Sequence, residues 1–509
     1  MTNKNKSQIS VKDAGFTLIE LIVVIAVMGI LATIVLLNYG KWQDSIAIAN
    51  LKSDLNGAAA AMENSRTYSN SYPESPPPSF KSSNGIVVSG GSMDAGNTYC
   101  LSAQNTKTGV SYYITSDNKV PQVGACVLNQ TLVSSNKNIN TNSLKTGRTC
   151  ADAASYSVVS LSTNNATLSG VPVSGCLKAN DEVLLINLQG TSTNYANVGN
   201  FETLIIASDV TTNTVTFTAN KVKKYGDLSS NDSNLGISTS NQRVMLQRLP
   251  NYTNFAVKSG VTLTANAWDG IKGGVLAVRA SDSADISGTI DMSGKGWHGG
   301  LGAYWYGGAG ESYNGGPTSI DSSSSMSANG GGGGGGGSAG LVDGQTGGAG
   351  GAAYASNGTN GGSGRYTPTI GYGAASYGSS DLSKIYFGSG GGGNSVIDGG
   401  DSNSGGAGGG IVIIFCGSSF SVGTNGSVLA NGSDGYVGTH QSSGGSGGSI
   451  YIVGPTASIG SNKVLSNPGA SGTGIHIPPN PGQSGPSSSG RIRITGTLTG
   501  TSTPTAYNG

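Results

Sequence analysis

The residue with the clearest chemical signal in this 509-residue chain is Glu20. It is the only ionisable side chain between Phe16 and Leu37, in a run that is otherwise mostly apolar. A carboxylate in such a segment is costly and is usually retained for a compensating partner. Glu20 is therefore a candidate functional residue.

The histidines and the common catalytic motifs give no comparable signal. His298, His440 and His476 lack an HExxH context and have no Cys or carboxylate partners at metal-ligand spacing. No GxSxG sequence lies outside the glycine-rich runs, and no P-loop lysine follows these runs. We therefore expect no metal, no cofactor and no enzymatic activity.

Exposed aromatic chemistry is the remaining candidate for binding. Trp297 lies in the glycine-rich stretch 294–300, and Trp305 and Tyr306 lie in the stretch 302–307. Aromatic rings on glycine loops can stack on sugar rings or on an apolar surface of a partner. The alternative is that these three rings cover the glycine-rich segment itself.

The composition favours a β-rich extracellular protein. Charged residues make up 10% of the chain, Gly occurs 86 times, and the net charge is +1. Apart from Lys4, Lys6 and Lys12 near the N-terminus, no cluster of basic residues stands out. Nucleic-acid binding through a basic patch is therefore not expected.

The segment from Gly15 to Glu20, with the apolar run that follows it, resembles the N-terminus of type IV pilins and pseudopilins. The resemblance implies that prepilin peptidase removes the leader 1–15 by cutting after Gly15, and that Phe16 is then N-methylated. It also implies that Glu20 meets the N-terminal amine of a neighbouring subunit. A secretory signal peptide or an uncleaved signal anchor is the alternative for a basic segment before an apolar run.

The apolar run predicts a long N-terminal helix. From Phe16 to Leu37 it would span roughly 33 Å, enough to cross a bilayer. Apolar residues recur at three- and four-residue steps as far as Met62, so we predict a transmembrane and assembly helix over 16–66, ended by the prolines that follow. We expect a single-pass inner (cytoplasmic) membrane protein that later enters a pilus at the cell surface.

Five cysteines suggest two disulfides and one leftover thiol. We predict a small pilin-like head over 67–132 with the pair Cys100 and Cys126, followed by a linker over 133–149. A β barrel or sandwich over 150–256 would contain the pair Cys150 and Cys176. Unpaired buried thiols are the alternative at the first pair, and we expect Cys416 to be buried and inert.

The last predicted region, 257–509, contains a repeat of strand, short turn, strand and glycine-rich return. The last three repeats begin about 40 residues apart, which indicates stacked units that share one core. We predict a β-solenoid-like domain, with an ordinary sandwich as the competitor. A long insertion, 297–408, is either a flexible linker or an ordered lattice of extended glycine segments. Residues 181–300 also resemble an uncharacterised module of glycine-rich bacterial surface proteins, which implies no activity.

The predicted fold is mainly β with one long N-terminal α-helix. The leading functional hypothesis is a minor or tip pilin-like subunit that displays a large head for adhesion, with other pilin subunits and surface glycans or a host cell surface as partners. A pseudopilin of a type II-like secretion system is the first alternative. A glycan-active β-solenoid enzyme is the second, although Asp282, Asp285, Asp291 and Lys295 are too sparse to define a site.

Overall fold

The protein is described by a computed structural model in which the chain forms two compact units, Met1–Leu128 and Asn129–Gly509. The structure describes residues 18–69, 71–73, 75–93, 98–116, 118–124, 126, 130–144, 150–302, 307–316, 347–363, 370–394, 404–437, 441–472 and 483–509.

The first unit consists of a long helix and a small antiparallel sheet, with the strands in the order β1-β2-β3-β4. Its elements are α1 (Leu18–Ser69), β1 (Ile86–Met93), β2 (Thr98–Asn105), β3 (Ser111–Thr115) and β4 (Gln122–Val123). The predicted helix 16–66 thus corresponds to α1, and its C-terminal end precedes Pro73. The prediction of a mainly β chain with a long helix near its N-terminus is confirmed.

The C-terminal half of α1 buries one apolar face against this sheet. Leu51, Leu55 and Met62 are fully buried and pack in one cluster with Leu101 and Ile114. Their spacing places them on one stripe of the helix. The cluster therefore fixes the small sheet to the helix.

The N-terminal half of α1 has a different environment. The described apolar side chains between Leu18 and Met28 are exposed in the isolated chain. In the described part, which leaves out residues 1–17 and the side chains of 30–44, no helix is long and apolar enough to cross a membrane.

Both predicted cysteine pairs form disulfides, one in each unit. Cys100 is bonded to Cys126, and Cys150 is bonded to Cys176. Cys416 remains a free thiol and is buried. Burial raises the pKa of this thiol to about 12, so it remains protonated at neutral pH.

The second unit contains twenty-two strands among its described residues. The first two are β5 (Gln130–Val133) and β6 (Lys137–Asn138). The next six are β7 (Ser155–Leu161), β8 (Asn165–Leu168), β9 (Glu182–Gln189), β10 (Phe201–Ile205), β11 (Thr214–Thr216) and β12 (Arg243–Arg248). The others are β13 (Asn251–Tyr252), β14 (Asn254–Val257), β15 (Thr262–Thr264), β16 (Val275–Ala280), β17 (Ser283–Ile286), β18 (Thr289–Asp291), β19 (Ile411–Cys416), β20 (Ser419–Val422), β21 (Ser427–Leu429), β22 (Ser449–Val453), β23 (Thr456–Leu465), β24 (Arg491–Ile494), β25 (Thr497–Thr503) and β26 (Tyr507–Asn508).

Strands β7 to β12 form an antiparallel sheet in the order β10-β9-β12-β7-β8-β11. A bridge between Ile206 and Phe217 joins its two edges, so the sheet closes into a barrel. Every residue of β9 and β12 is buried. Both strands are enclosed because alternate residues face two cores: Leu185 points into the barrel, whereas Ile186 packs against the rest of the unit.

The remaining strands of this unit form parallel sheets. The front sheet has the order β13-β16-β19-β22-β24-β26, and a ten-stranded sheet runs from β5 to β6 and folds at β23. Each successive turn of the chain adds a strand to the front sheet and then to the two halves of the other sheet. We call this arrangement the ladder domain.

Identical positions of successive turns stack inside the ladder domain. One column contains Val278, Ile414, Ile452 and Ile494, which are paired in register across four front-sheet strands and are fully buried. A single turn of this kind cannot bury its apolar residues alone, because the neighbouring turn covers one side of each of them. The stacked columns therefore hold the turns together.

Two predicted boundaries differ from the structure. The segment 133–149, predicted as a linker, contributes β6 and the fully buried Ile139. Its asparagines bond the backbone of the next turn: the Asn136 Oδ1 atom accepts from the Thr262 amide at 2.8 Å, and the Asn140 Oδ1 atom accepts from Asn266 at 2.7 Å. An asparagine-rich composition here supports ordered turns and not a flexible connection.

The second boundary lies after the barrel. Strands β13 and β14, within 251–257, pair with the ladder domain and not with the barrel, which ends at Arg248. The sequence alone does not locate this change, because both regions consist of short apolar strands separated by polar turns.

The stacked columns predict the cost of core truncation. We expect Ile414→Ala to lower the free energy of unfolding by about 2–5 kcal/mol, since it leaves a cavity in a fully buried column. Ile237→Ala is the matched control, because Ile237 is 49% exposed and should change stability little. Chemical unfolding followed by tryptophan fluorescence measures both; equal effects would contradict the assigned core.

Candidate functional site

The glycine-rich segments of the second unit pack side by side as extended chains. We call this array the glycine lattice; its described segments are 296–301, 307–311, 347–353, 357–363, 370–375, 387–394, 404–410, 430–437, 441–448, 466–472 and 483–490. In residues 388–393, N–H groups three residues apart donate to the same segment on two faces: Gly388 and Gly391 donate to the segment 404–410, and Gly390 and Gly393 donate to the segment 307–311. The acceptors are Gly409 for Gly388, the Ser446 hydroxyl for Ser389, Glu311 for Gly390, Gly406 for Gly391, Gly350 for Gly392 and Gly308 for Gly393.

A three-residue period is that of a polyproline II helix, which has no internal hydrogen bonds. Its N–H and C=O groups are therefore available to neighbours on three sides. This geometry satisfies the backbone of a buried segment without a sheet. The described part of the predicted insertion 297–408 is accordingly an ordered lattice.

Glycine is required in the lattice because the segments lie too close for a side chain. A Cβ atom added to Gly408 would lie 1.8 Å from the carbonyl oxygen of Gly388, and one added to Gly390 would lie 1.8 Å from that of His298. Backbone atoms of a packed neighbour cannot move aside as a flexible side chain can. Substitution at these positions must separate the segments.

An aromatic cluster joins the lattice to the outer face of β16 and β19 and to the barrel. Trp297 packs edge to face on Phe387, with ring centroids 5.5 Å apart, and Tyr354 stacks on Tyr377 at 4.7 Å. Trp297 is fully buried. The predicted role of Trp297 as an exposed ligand contact is therefore wrong for this conformation, because its ring fills the space between the lattice and the front sheet.

Glu311 lies at the centre of the same junction and is 1% exposed. Its Oε1 atom accepts from Gln189 Nε2 and from Trp268 Nε1, each at 2.9 Å. Its Oε2 atom accepts from the backbone N–H of His298 at 2.9 Å and lies 2.7 Å from the ring Nδ1 atom of His298. One carboxylate thus links the barrel, the ladder domain and the lattice.

The His298 side chain is 45% exposed, although its partner is buried. The hydrogen bond to Glu311 raises the pKa of His298, and burial of the ring opposes this effect. This pair is not evident from the sequence, because the burial of Glu311 depends on Gln189 and Trp268, which are distant from it along the chain. His298 is therefore a structural histidine held by a buried carboxylate.

The lattice has one end that lies away from the ladder strands along the chain. Near this end, Asn394 donates to the carbonyl oxygen of Gln441 at 2.8 Å, and the Ser484 hydroxyl donates to the same oxygen at 2.6 Å. Gly472 donates to Ser442 at 3.0 Å. We call this the distal end, because the opposite ends of these segments lead into the ladder strands.

Apolar side chains are exposed at the distal end. Leu301 is 48% exposed, Tyr436 is 37% exposed and Val437 is 61% exposed. Leu301 and Tyr436 flank the same segment, since Gly405 donates to Gly300 and the Tyr436 amide donates to Ser404. The arrangement provides a partly apolar surface on a rigid support.

The other predicted site residues have different outcomes. Gly15 and Phe16 lie outside the described residues, as do Trp305 and Tyr306, and for Glu20 the structure describes the helical backbone alone. His440 and His476 also lie outside them. In the ranges that are described, no three His, Cys, Asp or Glu side chains form a group that could hold a metal ion.

The lattice packing predicts a strong effect of a single methyl group. We expect Gly408→Ala to destabilise the second unit by about 2 kcal/mol or more, because the new Cβ would overlap the Gly388 carbonyl. Gly170→Ala is the control, since a Cβ there would meet nothing within 4 Å. Thermal unfolding followed by tryptophan fluorescence compares them, and an unchanged midpoint for Gly408→Ala would refute the close packing.

The His298 pair predicts a pH dependence. Because the folded state raises the pKa of His298, its contribution is fully present below the unfolded value of about 6.5 and is lost as pH rises through the folded value. We expect His298→Asn to reduce stability at pH 6 and to have less effect at pH 9. Urea unfolding at both pH values measures this; an equal loss at both would show that charge at His298 is irrelevant.

Comparison with known protein families gives a match at the N-terminus. Residues 11–36 match the model of the prokaryotic N-terminal methylation motif. Searches of curated proteins and of solved structures found no match. The chain therefore carries a type IV pilin-like N-terminus, which implies processing by prepilin peptidase and assembly with other pilin or pseudopilin subunits, and is consistent with membrane anchoring before display on a filament.

Proposed function

We propose that the chain is a minor or tip subunit of a type IV pilus-type filament and that its second unit makes adhesive contact with a surface. The observation that carries this proposal is the distal end of the glycine lattice. There, exposed apolar side chains are held by backbone bonded on several sides, so that little conformational entropy is lost when a partner binds.

The N-terminal motif supports the filament part of the proposal. Such a motif anchors the chain in the filament through its helix. The ladder domain and the lattice would then be displayed on the filament. The second unit has 381 residues, from Asn129 to Gly509, against 128 in the first. A second unit of this size on every subunit of the filament would crowd its neighbours. This favours a minor or tip position for the chain.

The distal end supports the adhesive part. Apolar side chains such as Leu301 and Val437 are costly to expose, and a cluster of them on a rigid support is typical of a binding surface. Trp305 and Tyr306, which the sequence predicts as ligand contacts, follow Leu301 in the chain and lie outside the described residues. The proposal includes both as ligand contacts.

The test is an adhesion assay with filaments of the producing bacterium. A strain lacking the gene is complemented with the wild-type chain or with Leu301→Ser/Val437→Ser. We expect the double variant to adhere at least several-fold less, because it removes the apolar contact area from the distal end. Immunogold labelling of the second unit should mark filaments equally in both strains.

The matched control is Leu228→Ser/Val222→Ser. These residues are exposed by 56% and 82% and belong to the barrel region. The control should adhere like the wild type. Equal adhesion by both double variants would reject the distal end as the contact surface. Loss of secretion of another protein in the deletion strain, with normal filaments and adhesion, would instead favour a pseudopilin.

A further inference from the structure

A second surface of interest lies on the outer face of the front sheet, on the strands that follow β19. Tyr451, Arg493 and Tyr507 occupy one row of this face, on the successive strands β22, β24 and β26. We call them the arginine–tyrosine row. Phe201 of the barrel packs edge to face on Tyr451, with ring centroids 6.2 Å apart, so the barrel lies beside the row.

The row holds its guanidinium group between two rings. The Arg493 Cζ atom lies 5.2 Å from the ring centroid of Tyr451 and 5.8 Å from that of Tyr507. Successive strands are about 4.8 Å apart, so the register alone places one ring on each side of the arginine. Such cation–π contacts fix the plane and position of the charge.

The hydrogen bonds of Arg493 are incomplete. Its Nη1 atom donates to the carbonyl oxygen of Asp381, and its Nε atom is buried without a hydrogen-bond partner, so a ligand would have to meet the Nη1 and Nη2 groups. Hydrogen bonds from Ser379 and Ser383 and, to a smaller degree, the charge of Arg493 lower the pKa of the Asp381 carboxylate. Arg493 forms no ion pair with a described residue, although most buried or partly buried arginines are paired.

A neighbouring arginine adds to the positive charge of this face. Arg491, two residues earlier on β24, points to the same side and donates to the carbonyl oxygens of Tyr354, Tyr377 and Gly378. Its Nε atom also lacks a partner. Arg279, by contrast, is neutralised by Glu182 at 2.7 Å. Among the described residues, the two arginines of β24 therefore form no ion pair, whereas Arg279 does.

The chemistry of the row selects a class of ligand. A planar guanidinium binds a carboxylate or sulfate through paired N–H groups. The Tyr507 side chain, 43% exposed, offers a flat apolar face and a hydroxyl group beside it. A sugar ring that carries an acidic group matches both features, since its C–H face can cover the ring while the acid meets the arginine.

A nucleic acid fits less well. A polyphosphate backbone carries a charge at short, regular intervals and needs several basic contacts. This face offers two arginines that form no ion pair with a described residue, and the whole chain has a net charge of +1. A more sparsely charged polymer is the better match.

We propose that the arginine–tyrosine row binds an acidic polysaccharide, with the acid on Arg493 and a sugar ring on Tyr507. This site lies on the ladder domain, not at the distal end of the lattice, and it does not depend on the filament role.

The test measures binding of the purified full chain, in detergent, to immobilised polygalacturonate, dextran sulfate, neutral dextran and oligo(dT). We expect binding to one or both acidic polysaccharides and none to neutral dextran. Arg493→Gln should weaken binding about tenfold, in line with the loss of a charge-assisted pair. Tyr507→Ser should also weaken it, whereas Tyr507→Phe, which keeps the ring, should bind like the wild type.

Lys258→Gln is the matched control, since it removes one exposed positive charge from the other sheet. Its binding should be unchanged, and the fluorescence of the buried tryptophans should show that every variant is folded. Preference between carboxylated and sulfated polymers identifies the acidic group. Wild-type binding to oligo(dT) alone, to none of the polymers, or equal weakening by Arg493→Gln and Lys258→Gln would overturn the proposal.

Discussion

Backbone hydrogen bonding is the constraint on which the second unit depends. Each buried N–H and C=O group needs a partner, and the ladder domain and the lattice satisfy this need in different ways. Parallel strands pair within a sheet, with two neighbours for each strand. Glycine segments without Cβ atoms approach neighbours on several sides, as the close contact between Gly408 and Gly388 shows. The lattice therefore continues the ladder turns. Its segments pack through backbone atoms, whereas the ladder strands pack through side chains.

The two architectures need a junction, because an apolar sheet face cannot pack directly on polar backbone. The buried rings of Trp297, Tyr354 and Phe387 cover the front sheet, and Glu311 accepts hydrogen bonds from the buried Trp268 and Gln189 side chains at the same junction. A buried carboxylate is stable when its oxygens accept several hydrogen bonds, as they do here. His298 completes this set from the lattice side. The aromatic and polar residues of the junction are thus explained by packing, which corrects the binding role that the sequence suggested for Trp297.

The functional features are distributed over both units. The methylation motif belongs to the helix, which supplies the means of assembly, whereas the distal end and the arginine–tyrosine row belong to the second unit. In the proposed filament subunit, the apolar helix would serve assembly and the second unit would make the contact. The two proposed contact surfaces differ in chemistry: one is apolar and lies at the lattice end, and the other is cationic and aromatic and lies on the ladder.

The sequence by itself determined the local features. The motif around Glu20, the helix ended by prolines, both disulfide pairs, the mainly β character and the repeated strands followed from residue type and spacing, since each depends on neighbours near in sequence. The tertiary structure decided the rest. It determined whether the glycine segments pack or remain flexible, and which backbone groups bond Asn136 and Asn140. It also determined that Trp297 is buried and which rings lie beside Arg493. These outcomes depend on contacts between residues tens to hundreds of positions apart. Composition and periodicity describe the chain locally, so they cannot fix such contacts.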